Sequence, residues 1–326
     1  MYVDNRVEEL LVKLIKTKHR HMVFTIPEQL RVYFRKDRKL LSILPECGAK
    51  AIKSWMESLN KSESFTPGII AVIHTFGRDL KWNPHVHILV TEGGAGKNTK
   101  WRPINYFHYE ALRKRWQKLI LDEIKTKVKE NKNVLKNLID NIYRTYNNGF
   151  YVYAKGEVTT QKAIAKYVAR YTGRPAIAES KILDYDGETV TLCYIRHGDN
   201  KKVIEKVSVY EFIKNLIIHI PEKQFKMVRY YGIYSRRNRH KNKFFMLINE
   251  KLKQEYRKLR KWEYRIMKAF GVDPLRCKCG ALMTFKDIVY PKYGSIREIL
   301  YERIKEQVEK NIDEIINTYA SVKGSK

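Results

Sequence analysis

The chain has 326 residues, with 65 Lys and Arg against 35 Asp and Glu, a net charge of +30 and an ordinary 44% of hydrophobic residues. That length holds one large domain or two modest ones, and the apolar content excludes wholesale disorder. A positive surplus of this size repels itself unless a polyanion offsets it, which makes nucleic acid the first partner to consider.

No stretch approaches the roughly 20 apolar residues of a membrane span, and the polar, acidic start at Met1–Leu10 is not a signal peptide. Four cysteines (Cys47, Cys193, Cys277 and Cys279) do not form a disulfide framework for a chain this long. The expectation is a cytoplasmic, nucleic-acid-binding protein with no membrane partner.

In chain order, Val7–Thr17 reads as a short amphipathic helix, and His21–Ile26, β-branched and aromatic, as a strand stopped by Pro27. Gln29–Leu59 reads as a helical region interrupted around Pro45 and Gly48. Gly68–Gly77 and His85–Thr91 are two strong strands joined through a turn at Arg78–Pro84, hence a hairpin. Glu92–Gly96 is a glycine-rich loop, Tyr109–Lys132 a long basic helix and Phe150–Ala154 a short strand. Thr160–Tyr171 predicts a helix, with Gly173 and Pro175 as its stop signals. Lys181–Tyr185, Thr189–Arg196 and Val203–Val209 alternate like an antiparallel meander, followed by a helix over Tyr210–His219. Helices near Leu252–Ala269 and Ser295–Tyr319 complete an α+β chain built around an antiparallel sheet.

His85 and His87 flank Val86 on a strand, so both imidazoles point to one face. Two neutral imidazoles so placed can share a divalent metal; the alternative is a pair of ordinary polar-face histidines. His74 tips the balance toward metal. If Gly77 faces Pro84 across the hairpin, His74 faces His87 on that same side, whereas a one-residue slip would turn it away.

Tyr167 and Tyr171, four apart in the predicted helix, share a face among Lys166, Arg170 and Arg174. A tyrosine can attack a phosphodiester while cations offset the developing charge. In a chain with 22 tyrosines the pair can equally be a packed face. Phe225–Arg239 interleaves aromatics with cations. Arg229, Arg236 and Arg237 are candidates for phosphates, and Tyr230 and Tyr231 for stacking on bases; a solvated basic surface is the alternative. Cys277 and Cys279 form a C-x-C with no second pair nearby, which argues against a structural zinc site, and Cys47 and Cys193 read as small buried residues.

VFTIP at 23–27, IHTFGRDLKWNPHVHILV at 73–90, YVARYTGRPAIAESKI at 167–182 and HIPEKQFKMVRYYGIYS at 219–235 occur in this order. Together they resemble the rolling-circle transposases of the insertion-sequence-91 family, two-tyrosine members of the HUH endonuclease superfamily. The resemblance implies an HUH nuclease core, in which an antiparallel sheet carries the histidines with the tyrosine helix beside it. It implies a reaction too: a tyrosine nicks single-stranded DNA at transposon ends and target, keeps a 5′-phosphotyrosine link and later rejoins strands. The cofactor is then a divalent metal, Mg²⁺ or Mn²⁺, with no nucleotide cofactor.

Carried over residue by residue, His85 and His87 match the histidine pair, and Tyr167 and Tyr171 the tyrosine pair with Lys166 beside them. His74 as third ligand follows from hairpin geometry. Asn83 stands where relatives often have histidine, and the Cys-rich region that usually precedes the first strand is missing, as in a short homologue or a fragment. The expected organisation is an N-terminal helix at 1–18, the HUH-type core at 19–185, a small basic DNA-binding extension at 186–250 and a helical C-terminal region at 251–326. A replication initiator or relaxase of the same class, or a catalytically idle DNA-binding remnant, are the alternatives.

Overall fold

A computed structural model describes residues 14–158, 176–235 and 254–323, leaving out 16, 60–62, 97, 100, 105, 197, 198, 255, 256, 259, 260 and 285. The helix expected at Val7–Thr17 lies almost entirely outside the described residues. The helix expected at Thr160–Tyr171 lies wholly outside them. The chain divides into two compact units, residues 1–259 and 260–326.

The first unit is built on a five-stranded sheet in the order β10-β2-β3-β1-β6, with β1 His19–Thr25, β2 Gly68–Phe76, β3 Trp82–Thr91, β6 Val152–Val158 and β10 Val228–Gly232. Every pairing is antiparallel. One face carries Ile69, Ala71 and Ile73 of β2, Val86, Ile88 and Val90 of β3, and Met22 and Phe24 of β1. These side chains alternate along their strands and are buried against α2 (Ile43–Ser58) and α3 (Tyr109–Lys127) through Leu44, Ile52, Trp55, Leu112, Trp116 and Ile120. Trp116 meets Phe24 edge to face, and its indole N–H donates to the Thr25 carbonyl at 2.7 Å. Removing such rings from water contributes about 1.5–3 kcal/mol each, and the face they fill is fixed by a period of two. The mixed α+β architecture around an antiparallel sheet, expected from the sequence, is thus observed.

The interruption in the first helical region falls elsewhere than expected. α1 (Glu28–Lys36) ends at Asp37, whose side chain accepts from Lys39 N–H to start a 3₁₀ turn, and α2 then runs through Pro45 and Gly48 without a break. Pro45 stands in the first turn, where its missing N–H has no intrahelical acceptor to lose. The basic helix stops at Lys127, and a separate α4 (Lys132–Thr145), capped by Asn131, follows it.

The small strands β4 (Gly93–Gly94) and β5 (Arg102–Pro103) pair where a loop was expected. The meander is present as β7 (Ile182–Tyr185), β8 (Thr189–Ile195) and β9 (Lys202–Ser208), followed by α5 (Val209–Ile217). Its small core of Val190 and Leu192 closes on Leu80, in the β2–β3 turn. The segment around Arg229, read from sequence as a source of phosphate and base contacts or else a solvated basic surface, contains an edge strand of the main sheet. Gly232 ends it at φ +60°, where a Cβ would overlap the Pro67 carbonyl oxygen.

In the second unit α6 (Trp262–Phe270) ends on Gly271 at φ +69°, a left-handed cap. Two-residue strands β11 (Val289–Tyr290) and β12 (Gly294–Ser295) lead into α7 (Ile296–Lys323). Among the described residues no helix is long and apolar enough to cross a membrane.

Candidate metal centre

The other face of the sheet carries histidines from three adjacent strands. His74 lies on β2 directly opposite His85 on β3, two residues away from the pairing with His87 expected from sequence. The register changes between His74 and Phe76, because Phe76 pairs with Trp82 and β3 carries an extra residue there. Pro84 sits in that bulge, where its lack of an N–H breaks no ladder bond. A shift of two preserves the face, so His74, His85 and His87 still converge. Their ligating nitrogens all lie within 4.8 Å of one another, the one such group of three or more metal-binding side chains among the described residues.

The protonation pattern suits a metal. His85 Nδ1 lies 2.7 Å from the Asn83 carbonyl, which can only accept, so the proton is on Nδ1 and Nε2 is bare. Burial pushes the His85 imidazolium down, which keeps the ring neutral. His85 Nε2 and His87 Nε2 are 3.1 Å apart, the spacing of two nitrogens that share one ion at bonds of about 2.1 Å. The imidazole donor set therefore fits a divalent ion.

The surroundings brace this patch. His219, buried behind the β2–β3 turn, donates from Nε2 to the Leu80 carbonyl at 2.8 Å and accepts at Nδ1 from the Thr75 hydroxyl at 3.1 Å. Its ring lies parallel to Trp82, 7° between planes. On β1, His21 Nε2 is 3.0 Å from His87 Nδ1. Sequence reasoning missed His21: the strand reads from sequence as starting at His21, whereas β1 starts at His19, and His19-x-His21 on it repeats the pattern that drew attention to His85 and His87.

His19, fully buried, donates from Nδ1 to the Thr17 carbonyl at 2.9 Å and accepts from the Tyr234 hydroxyl at 2.6 Å. Burial lowers its pKa to about 4, so it stays neutral in the fold while the unfolded chain protonates near 6.5. The unfolded state binds the extra proton first as pH falls. Stability from this group is therefore complete above pH 6.5 and declines toward pH 4, by about 3 kcal/mol at most. Thermal melts should show the protein losing stability between pH 7 and 5, and His19→Gln, less stable at pH 7, should lose less over that interval. An equal acid loss in both proteins would remove His19 as the cause.

Of the remaining sequence candidates, Arg229 is on β10 facing the helices, its guanidinium 2.8 Å from Glu46 Oε1. Tyr231 faces the same way and packs on the core; burial pushes its phenol up to about 12. Tyr230, opposite Ile70, is on the histidine face. Tyr167, Tyr171, Lys166, Arg170, Arg174, Arg236 and Arg237 lie outside the described residues. Cys47 is buried in α2 and Cys193 half-buried in β8, while Cys277 and Cys279 share one exposed turn region of the second unit.

Residues 68–243 match the family model described as "Y2_Tnp: Putative transposase", which covers the histidine hairpin, the two tyrosines and the β10 segment. The chain belongs to this transposase family. It is 30% identical over 279 residues to the "Transposase for insertion sequence element IS801" of Pseudomonas savastanoi pv. phaseolicola, a match covering 81% of this chain and 66% of that one. It is 28% identical over 250 residues to the "Putative transposase y4qJ" of Sinorhizobium fredii (strain NBRC 101917 / NGR234), covering 72% and 62% respectively. The chain thus matches just under two thirds of the length of these curated relatives. No solved structure matches it. The resemblance to insertion-sequence-91 transposases read from the four ordered motifs agrees with the family to which the chain belongs.

Proposed function

We propose that this transposase-family chain nicks and rejoins single-stranded DNA, with Tyr167 and Tyr171 as nucleophiles and a divalent metal held by His74, His85 and His87. The observation that carries the reading is the convergence of the three imidazoles on one sheet face, with Nε2 of His85 bare. When bound there, the ion supplies Lewis-acid polarisation and orientation of the scissile phosphate. The tyrosine hydroxyl attacks phosphorus, the P–O3′ bond breaks, and the strand leaves as a 3′-OH while its 5′-phosphate stays on tyrosine. The reverse attack by a 3′-OH rejoins a strand, so no nucleotide is consumed. Lys166 offsets charge on the phosphoryl oxygens. The direct test is labelled single-stranded DNA of the transposon end incubated with protein and Mn²⁺; a covalent adduct on a denaturing gel supports the reading, and its absence rejects it.

DNA is the polyanion that the charge of +30 calls for. In this reading Arg170, Arg174, Arg236 and Arg237 serve the backbone, and Tyr230, on the histidine face, serves the bases, while Arg229 is engaged by Glu46 on the helix face. Tyr231 contributes by packing. Affinity for a single strand should fall steeply with salt, by ~0.7 log units per log unit of salt for each phosphate contacted. Tyr230→Ala should weaken single-strand binding by about 5- to 100-fold, the worth of one stacked base, and duplex binding much less. Tyr231→Ala should lower the melting temperature instead. Equal losses on single strand and duplex for Tyr230→Ala would mean that its ring does not stack on bases. The reading also makes residues 186–250 a DNA-binding extension, apart from β10, which belongs to the main sheet, and 251–326 a separate helical region.

A further inference from the structure

The structure points to a role for His21, on β1, that no part of the sequence reading assigned: we propose that it is a positioning residue of the metal centre, setting the tautomer of His87 across the strand pair. The inference rests on the metal reading above. His21 Nε2 and His87 Nδ1 are 3.0 Å apart, and the rings are nearly parallel, 6° between planes with centroids 5.2 Å apart. So short an N···N contact at that centroid distance requires the rings to meet edge to edge, in the geometry of a hydrogen bond through ring nitrogens. His21 is buried, on the central strand pair β1–β3, so the bond is held by the sheet.

The two histidines of β3 are therefore oriented by different devices. His85 is fixed locally, by the Asn83 carbonyl in its own bulge. His87 Nδ1 instead meets an imidazole from the neighbouring strand, His21 Nε2 at 3.0 Å. An imidazole, unlike a carbonyl, can answer in either sense. Without an ion, the 3.1 Å Nε2···Nε2 contact needs one proton, and since His85 carries its proton on Nδ1, His87 supplies it. His87 Nδ1 is then an acceptor and His21 donates. As a ligand, His87 must present a bare Nε2 and carry its proton on Nδ1; His21 then accepts at Nε2 and holds its own proton on Nδ1. No net proton is gained or lost within the pair. A ligand whose other nitrogen is hydrogen-bonded is oriented and more basic, and removing such a partner costs about 10- to 100-fold in metal affinity.

The test measures Mn²⁺ binding by calorimetry on the full chain, without DNA. His21→Phe keeps a ring in the sheet and deletes the acceptor; His21→Gln returns an acceptor that can also donate. The expected result is that affinity falls about 10- to 100-fold in His21→Phe and returns most of the way in His21→Gln. Wild-type affinity in His21→Phe would overturn the inference, and so would a His21→Gln variant that folds and binds as weakly as His21→Phe. Wild-type protein that binds no Mn²⁺ would instead reject the metal reading on which the inference stands. Long-range ¹H–¹⁵N spectra of the wild-type protein pose the question without any variant. With saturating Mg²⁺, His87 should carry its proton on Nδ1, bonded to His21; a bare Nδ1 would overturn the role.

Discussion

His87→Ala is expected to reduce nicking of single-stranded DNA by about a thousandfold or more while changing DNA affinity little. His87 stands at the centre of the cluster: its ring is 4.5 Å from that of His74 and 4.9 Å from that of His85, centroid to centroid, and its Nδ1 meets His21. Alanine removes one of three nitrogens and leaves His74 and His85 to hold an ion alone. Lewis-acid stabilisation of a phosphoryl transfer is worth several kcal/mol, and about 4 kcal/mol is a thousandfold in rate. Affinity is a separate matter, because it is set by cations and aromatics spread over the surface. Chelation should reproduce the loss, and Mn²⁺ should restore activity at lower concentration than Mg²⁺, since imidazole suits the softer ion. The measurement is single-turnover cleavage of a labelled oligonucleotide, with filter binding on the same samples. Cleavage by His87→Ala at the wild-type rate would remove the metal site from the account.

The legible part of this site was the part written in local periodicity. H-x-H on an apolar strand fixes a face, and a turn of the right register brings His74 onto it, so the cluster followed from spacing once that register was granted. The pairing of His74 with His85 did not: the hairpin closes at Phe76 and Trp82 rather than Gly77 and Pro84, and β3 then carries one extra residue, neither of which spacing announces. His21 was harder still. It reaches His87 only because β1 pairs with β3, a contact between strands 66 residues apart at these positions, and such pairing is set by the whole sheet. Composition misled at β10: VRYYG was weighed as charge and aromatics, yet its Arg229 and Tyr231 face the helices and only alternation would have shown it. The break at Asp37 and the continuity through Pro45 show the same thing for helices, where position within the first turn decides what proline does.

In the proposed function, the two tyrosines would separate a transposase from a simple nickase. One tyrosine suffices to nick once, and afterwards it carries the DNA 5′ end and cannot attack again until that link is resolved. Transfer of a strand to a new site needs a second cut while the first link persists, and a second tyrosine in reach of the same centre supplies it. Tyr167 and Tyr171 are one helical turn apart in the predicted helix, about 6 Å along its axis, so both can approach one scissile phosphate with a modest shift. Tyr167→Phe and Tyr171→Phe are each expected to retain some nicking and to lose complete transposition, and the double variant to lose every covalent adduct. Phenylalanine keeps the ring and its packing, so the loss reports the hydroxyl. Adduct formation on labelled oligonucleotides and a transposition assay in cells together decide the matter. If Tyr167→Phe alone eliminates all adduct while Tyr171→Phe transposes normally, Tyr171 is a packing residue and one tyrosine performs both cuts in turn.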